Sequence, residues 1–203
     1  MVCLISQIRT YGARRLAHMR WSRVFRSSSA AAGYTWLKVF PLMALEEIVI
    51  GHHVDPDFGP LELIETRTEA AVKGGPLTPL IFRQWTGKVA ALDTSLSISS
   101  SEDPPVVADQ VRSDFRRVMS NVDNFKERIA RSELGLAKDW AAAAGLDLPL
   151  DENRFASLLK IDGFTIGPSR LTAWLGETAG IFGGHSLEVR IEMGEIVGIC
   201  LAG

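Results

Sequence analysis

Near the C-terminus, residues Ser186–Glu192 alternate without a break: Leu187, Val189 and Ile191 fall on one face, and Glu188, Arg190 and Glu192 on the other. Successive side chains of a strand point to opposite faces, so this pattern specifies a strand with one face against a core. The run 196–201 that follows is largely apolar in both registers and is expected in a more covered position. Between the two, Met193-Gly194 supplies the residue type that tolerates the positive φ of a tight hairpin. A chain with such a hairpin needs a second apolar layer to cover Leu187, Val189 and Ile191.

The candidate for that layer lies further upstream. Val111, Phe115, Val118, Val122, Phe125 and Ile129 step by four, three, four, three and four, which is one stripe of an amphipathic helix. The stripe is too short for a coiled-coil seam, and packing on the sheet is the better reading. Arg112, Arg116, Arg117, Lys126, Arg128 and Arg131, interleaved with Asp109, Asp114, Asp123 and Glu127, read as a solvated mixed-charge face. Residues 136–144 continue the helical composition up to Gly145, a common helix-terminating residue. Asp151 is placed to cap a further short helix over 152–160, with Phe155, Leu158 and Leu159 inward.

Strand signals flank this helical centre. Upstream they are 48–50, 58–65 with Leu61 and Leu63 on one face, the pieces 81–85 and 88–92, and 96–99, with a turn at 73–76 and a polar loop at 99–105 closing that sheet. Downstream they are 161–166, a turn at 167–169, 170–175, and the hairpin. The expected fold is α+β: N-terminal antiparallel strands, a long amphipathic helical segment with a short helix, then a C-terminal four-stranded antiparallel meander. With 203 residues and 46% hydrophobic content, residues 43–203 suffice for a single domain.

Charge is unevenly placed. The chain has 22 Lys and Arg against 24 Asp and Glu; seven of the basic residues and none of the acidic ones lie in 1–45, leaving 15 against 24, or −9, for the rest. An acidic body argues against broad nucleic-acid binding, which needs a basic face, and suits a basic protein partner. Residues 1–42 are basic and Ser-rich; the favoured reading is an unstructured extension or a mis-assigned start upstream of Met43, with a targeting segment or a basic arm as alternatives. No run of 18 apolar residues suggests a membrane span. Cys3 and Cys200 form no metal or disulfide spacing, and a cytoplasmic setting is expected.

Chemistry-bearing residues are few. Gly51-His52-His53-Val54-Asp55-Pro56-Asp57 reads as a turn in which His52, His53, Asp55 and Asp57 could hold a divalent metal, although an ordinary solvated loop has the same composition. His185 follows two glycines at a strand start; on a strand His185 and Ser186 point to opposite faces and cannot act as base and nucleophile to one another. Thr86-Gly87-Lys88 lacks the rest of a phosphate loop, and no nucleophile elbow, zinc-protease helix, Cys-x-x-Cys pair or dinucleotide turn occurs, so no cofactor is expected. The leading expectation is a non-catalytic protein-interaction domain, one form of which is an antidote to a basic toxin such as a nuclease. The alternative is a hydrolase or metal-dependent enzyme using His185 or the His52/His53/Asp55/Asp57 turn.

Several local strings resemble a known family. Leu136-Ala137-Lys138-Asp139-Trp140, the capped acidic helix at 151–159, the strand at 161–166, and above all Phe182-Gly183-Gly184-His185-Ser186 with its following strand are similar to the bacterial domain of unknown function 2262, over residues 58–203. The family carries an aromatic-Gly-His-Ser string entering a strand; here Gly183 stands where a bulky residue such as Trp is usual. The resemblance leaves residues 1–42 outside it and implies no particular chemistry.

Overall fold

The computed structural model describes residues 46–70 and 78–203. Eight strands form one sheet in the order of the chain: β1 (Glu46–Asp55), β2 (Gly59–Ala70), β3 (Thr78–Val89), β4 (Thr94–Ile98), β5 (Leu159–Ile166), β6 (Leu171–Glu177), β7 (Ser186–Glu192) and β8 (Glu195–Ala202). Between β4 and β5 come three helices, α1 (Asp109–Ser120), α2 (Val122–Ala143) and α3 (Glu152–Leu158). By its contacts the chain divides into a larger unit, Val49–Glu65 with Arg83–Gly203, and a smaller one, whose described residues are 46–48, 66–70 and 78–82. In the smaller unit Arg67 approaches Glu46 at 3.9 Å, and Ile81 and Phe82 are exposed.

The α+β expectation holds at the level of a mostly antiparallel sheet with helices inserted in its middle. The sheet does not close after β4, however, and the last four strands are not a separate meander. β4 pairs with β5 in parallel, Leu96 opposite Phe164 and Ile98 opposite Ile166, so the C-terminal strands extend the sheet begun upstream. The long helical connection permits this, since a parallel neighbour needs a crossover and cannot be reached by a tight turn. β5–β6, β6–β7 and β7–β8 are antiparallel, as is β3–β4.

The C-terminal hairpin forms as its alternation specifies. Leu187, Val189 and Ile191 are buried, and Met193 and Gly194 turn with φ of 53° and 79°. Positive φ at both central residues is the geometry whose twist matches that of the flanking strands. α1 packs on β6 and β7, and its Val111, Phe115 and Val118 share one core with Leu171, Ala173, Leu175, Leu187, Val189 and Ile191. Phe115 meets Phe58 and Phe164 edge to face, with centroids 5.1 and 5.3 Å apart.

Three local readings are corrected. The stripe from Val111 to Ile129 is not one helix: it breaks at Asn121 (φ −151°, ψ 64°), whose side chain caps α2 by accepting from the Asn124 N–H at 3.2 Å. Asn competes for backbone hydrogen bonds and so favours caps over helix interiors, while the apolar spacing carries on across the break. The pieces at 81–85 and 88–92 are one strand, β3, followed by a 3-10 turn at Ala90–Leu92. Gly87 is not a break; a Cβ there would stand 2.8 Å from both Leu61 Cδ2 and the Pro60 carbonyl oxygen, so the glycine admits close approach of the neighbouring segment. The third helix ends at Leu158, and Leu159 opens β5. Its cap is as expected, with Asp151 Oδ1 accepting from the Arg154 N–H at 2.7 Å. The expected turn at 73–76, residues 1–42 and Cys3 lie outside the described residues.

Candidate functional site

The proposed metal turn is mostly strand. β1 continues through His52, His53 and Val54 to Asp55, and only Pro56, Asp57 and Phe58 make the turn into β2. Alternation therefore separates the ligands: His52 is exposed, and His53 lies edge-on to Trp85 with centroids 6.0 Å apart. Asp55 shares the inward parity of His53, yet its carboxylate is taken elsewhere. Among the described residues no three His, Cys, Asp or Glu side chains gather to hold a metal.

The two aspartates belong instead to an ion-pair network that anchors α1. Asp55, with a side chain 2% exposed, receives Arg112 Nη1 and Nη2 at 2.8 Å each. Its Oδ1 also accepts the backbone N–H groups of Asp57 and Phe58 at 2.9 and 3.2 Å, which fixes the turn. Asp57 accepts Arg112 Nη1 at 3.1 Å and Arg116 Nη2 at 2.8 Å. Arg112 also lies over the Phe58 ring, 5.0 Å from its centroid. Burial pushes the Asp55 carboxyl up, but the hydrogen bonds from Arg112 and the two backbone amides outweigh it and leave Asp55 below the ordinary aspartate range. Asp57 is held down chiefly by its hydrogen bond to Arg116, against some burial.

Arg112 is thus not on the solvated face to which its spacing assigns it, and neither is Asp114, which is 2% exposed. Arg112 and Arg116, one turn apart on α1, are the partners of these aspartates that the sequence alone does not reveal. The only signal was their i, i+4 spacing opposite a carboxylate pair far away in sequence.

His185 lies in a second corner, at the end of the loop from β6 to β7. Its ring stands edge to face with Trp140 of α2 at 5.7 Å, and Trp140 meets Phe182 in the same way at 6.0 Å. Its backbone N–H donates to the Phe182 carbonyl at 3.0 Å. Glu177 holds the loop, accepting the N–H of Ala179 at 2.6 Å and of Phe182 at 3.1 Å. Ser186 opens β7 and is buried. His185 is placed as an aromatic support between α2 and this loop.

The remaining surface of note is the first strand. β1 stands at one end of the strand order, and among the described residues no strand pairs with its outer edge. Within the larger unit Ile50 and Val54 are 44% and 74% exposed. Edge strands are ordinarily protected by Lys, Pro, bulges or covering elements; β1 contains neither Lys nor Pro.

These features define an α+β protein built on a mostly antiparallel sheet, with one edge strand bearing apolar side chains. No protein-family model, no curated protein and no solved structure matches the chain. Among the described residues, no helix is long and apolar enough to cross a membrane.

Proposed function

We propose that this chain is a non-catalytic protein-interaction domain that docks a basic protein partner along β1. The observation that carries the reading is the exposure of Ile50 and Val54 on an edge strand whose main-chain groups face outward unpaired among the described residues. An extended segment of a partner added there gains a ladder of main-chain hydrogen bonds, while the alternate side chains Ile50, His52 and Val54 read its sequence. The −9 charge of residues 46–203 steers a cationic partner and disfavours an acidic one. One form of this role is a cytoplasmic bacterial antidote that sequesters a basic toxin such as a nuclease. Membership of the domain of unknown function 2262 rests on the Phe182 to Ser186 string and the strand after it; it would be compatible with this role without specifying it.

Affinity capture from the source cell, run in parallel with wild type and Val54→Lys, tests the proposal. A cationic protein retained by wild type, lost with Val54→Lys at unchanged melting temperature, and binding again when purified supports it. Equal retention by both proteins, or no partner even at low salt, overturns it.

A further inference from the structure

We infer that the outer edge of β8 pairs antiparallel with β8 of a second copy of this chain, about a two-fold axis at Ile199. β8 closes the strand order at the end opposite β1, and among the described residues no strand pairs with its outer edge. The strand contains no Lys, Arg or Pro to protect that edge, and its single charge, Glu195, stands at its first position. Its one irregularity is a bulge: Arg190 lies opposite Gly198 and Ile191 opposite Ile196, which leaves Val197 over, 52% exposed. Beyond the bulge the pairing with β7 is regular to Ala202. Ile199 and Leu201 lie opposite Val189 and Leu187 on the core side, yet they are only partly buried, whereas Val189 and Leu187 are fully buried. The apolar layer therefore reaches the edge of the sheet and ends half covered, beside a row of unpaired main-chain groups.

The charges on the other face of this edge select the occupant. Arg190 of β7 lies across β8: a Cβ on Gly198 would stand 2.6 Å from Arg190 Nη2 and 3.1 Å from its Cζ, so only glycine admits the guanidinium there. Glu188 precedes Arg190 by two positions on the same face, and neither has an ion-pair partner among the described residues. Directly opposite residues of antiparallel strands share a face, so a two-fold axis between two β8 strands passes through one residue. At Ile199 it sets Gly198 opposite the partner subunit's Cys200. Cys200 pairs with Glu188 within each copy, so a row across four strands reads Arg190, Gly198, the partner subunit's Cys200 and the partner subunit's Glu188. The outer two backbones are about 14 Å apart at about 4.8 Å per strand, and the guanidinium already covers the first step of that distance. The axis repeats the pair. An axis at Gly198 would instead bring the two Arg190 side chains together, and one at Cys200 the two Glu188 side chains, so charge complementarity fixes the register at Ile199. A foreign strand would have to supply both a carboxylate and a cation at this spacing, which a second copy supplies by symmetry.

The pairing does not depend on docking at β1, and its test is separate: sedimentation equilibrium of the full chain from about 5 to about 200 µM. Wild type is a reversible dimer in that range. Arg190→Glu and Glu188→Arg each weaken the dimer roughly tenfold or more, with far-UV circular dichroism unchanged. Mixed in equal amounts, the two single variants recover the dimer with one another, because each then answers the other's charge; a role confined to one copy gives no such rescue. In a background of Cys3→Ser and Cys200→Ser, Ile199→Cys forms an intermolecular disulfide, since the axis brings the two Cα atoms to about 5 Å. That arm decides the register if a charge variant does not fold. A monomer throughout the range overturns the inference, as does a dimer that both single variants keep or a mixture that stays monomeric. So does a dimer lost with Val54→Lys, which would place the contact at β1.

Discussion

Replacing Asp55 by Ala should be among the most damaging single changes in the larger unit, because it strips α1 of its anchor to the β1–β2 turn. The carboxylate is 2% exposed, takes both terminal nitrogens of Arg112, and accepts two backbone N–H groups. Its loss leaves Arg112, whose side chain is only 17% exposed, with a single remaining hydrogen bond to Asp57, and leaves the turn amides without their acceptor. Removing one member of a buried pair costs about 3–5 kcal/mol, most of it the penalty on the charge left behind. With a urea m-value of about 2 kcal/mol/M, the unfolding midpoint falls by about 1.5–2.5 M. By contrast Arg116 is 64% exposed and screened by solvent, and Arg116→Ala should shift the midpoint far less than Asp55→Ala although its hydrogen bonds to Asp57 are short. Asp55→Leu combined with Arg112→Met should recover much of the loss, since an apolar pair of adequate volume leaves no stranded charge. The pH dependence has a definite sign. Asp55 and Asp57 are depressed in the folded state, so below the ordinary aspartate value of 3.8 the unfolded chain binds more protons. Their stabilisation is complete above that value and is lost as pH falls through the lower folded values; Asp55→Asn flattens this acid limb. A midpoint change under about 0.5 M for Asp55→Ala, or equal losses from Asp55→Ala and Arg116→Ala, would refute the argument.

Two further outcomes follow from single positions. Gly87→Ala places a Cβ against the Pro60 carbonyl oxygen as well as the more yielding Leu61 side chain, and should destabilise by about 1–3 kcal/mol in urea unfolding; a neutral result would mean the two strands separate freely there. His185→Ala removes one edge-to-face contact with Trp140 and should cost about 1 kcal/mol, lowering the melting temperature by about 2–4 °C, whereas an unchanged melting temperature would return His185 to candidacy as a reactive group.

What the sequence disclosed, it disclosed through local pattern. The alternation at Leu187, Val189 and Ile191, the turn at Met193-Gly194 and the Asp151 cap each depend on residues within a few positions of one another, and each forms as read. What stayed hidden depends on pairings across the chain. Leu96 gives no sign that its neighbour is Phe164, in parallel and beyond three helices, so the sheet read as two. The aspartates misled for a related reason: Asp55 and Asp57 stand among turn-forming residues, and Arg112 stands among other charges, so each looked solvated from its own neighbourhood.

Asp114 follows the same logic with the opposite consequence. Its position on the inner stripe with Val111, Phe115 and Val118 was legible from spacing alone, but a charge on that stripe conflicts with the hydrophobic pattern and was assigned to solvent with the other charges. For Asp55 the conflict between local composition and burial resolves inside the chain, through Arg112. For Asp114 the described residues offer Gln110, for one of two oxygens. Where local pattern and burial conflict, a partner brought in by the fold from far along the chain restores consistency, as Arg112 does for Asp55.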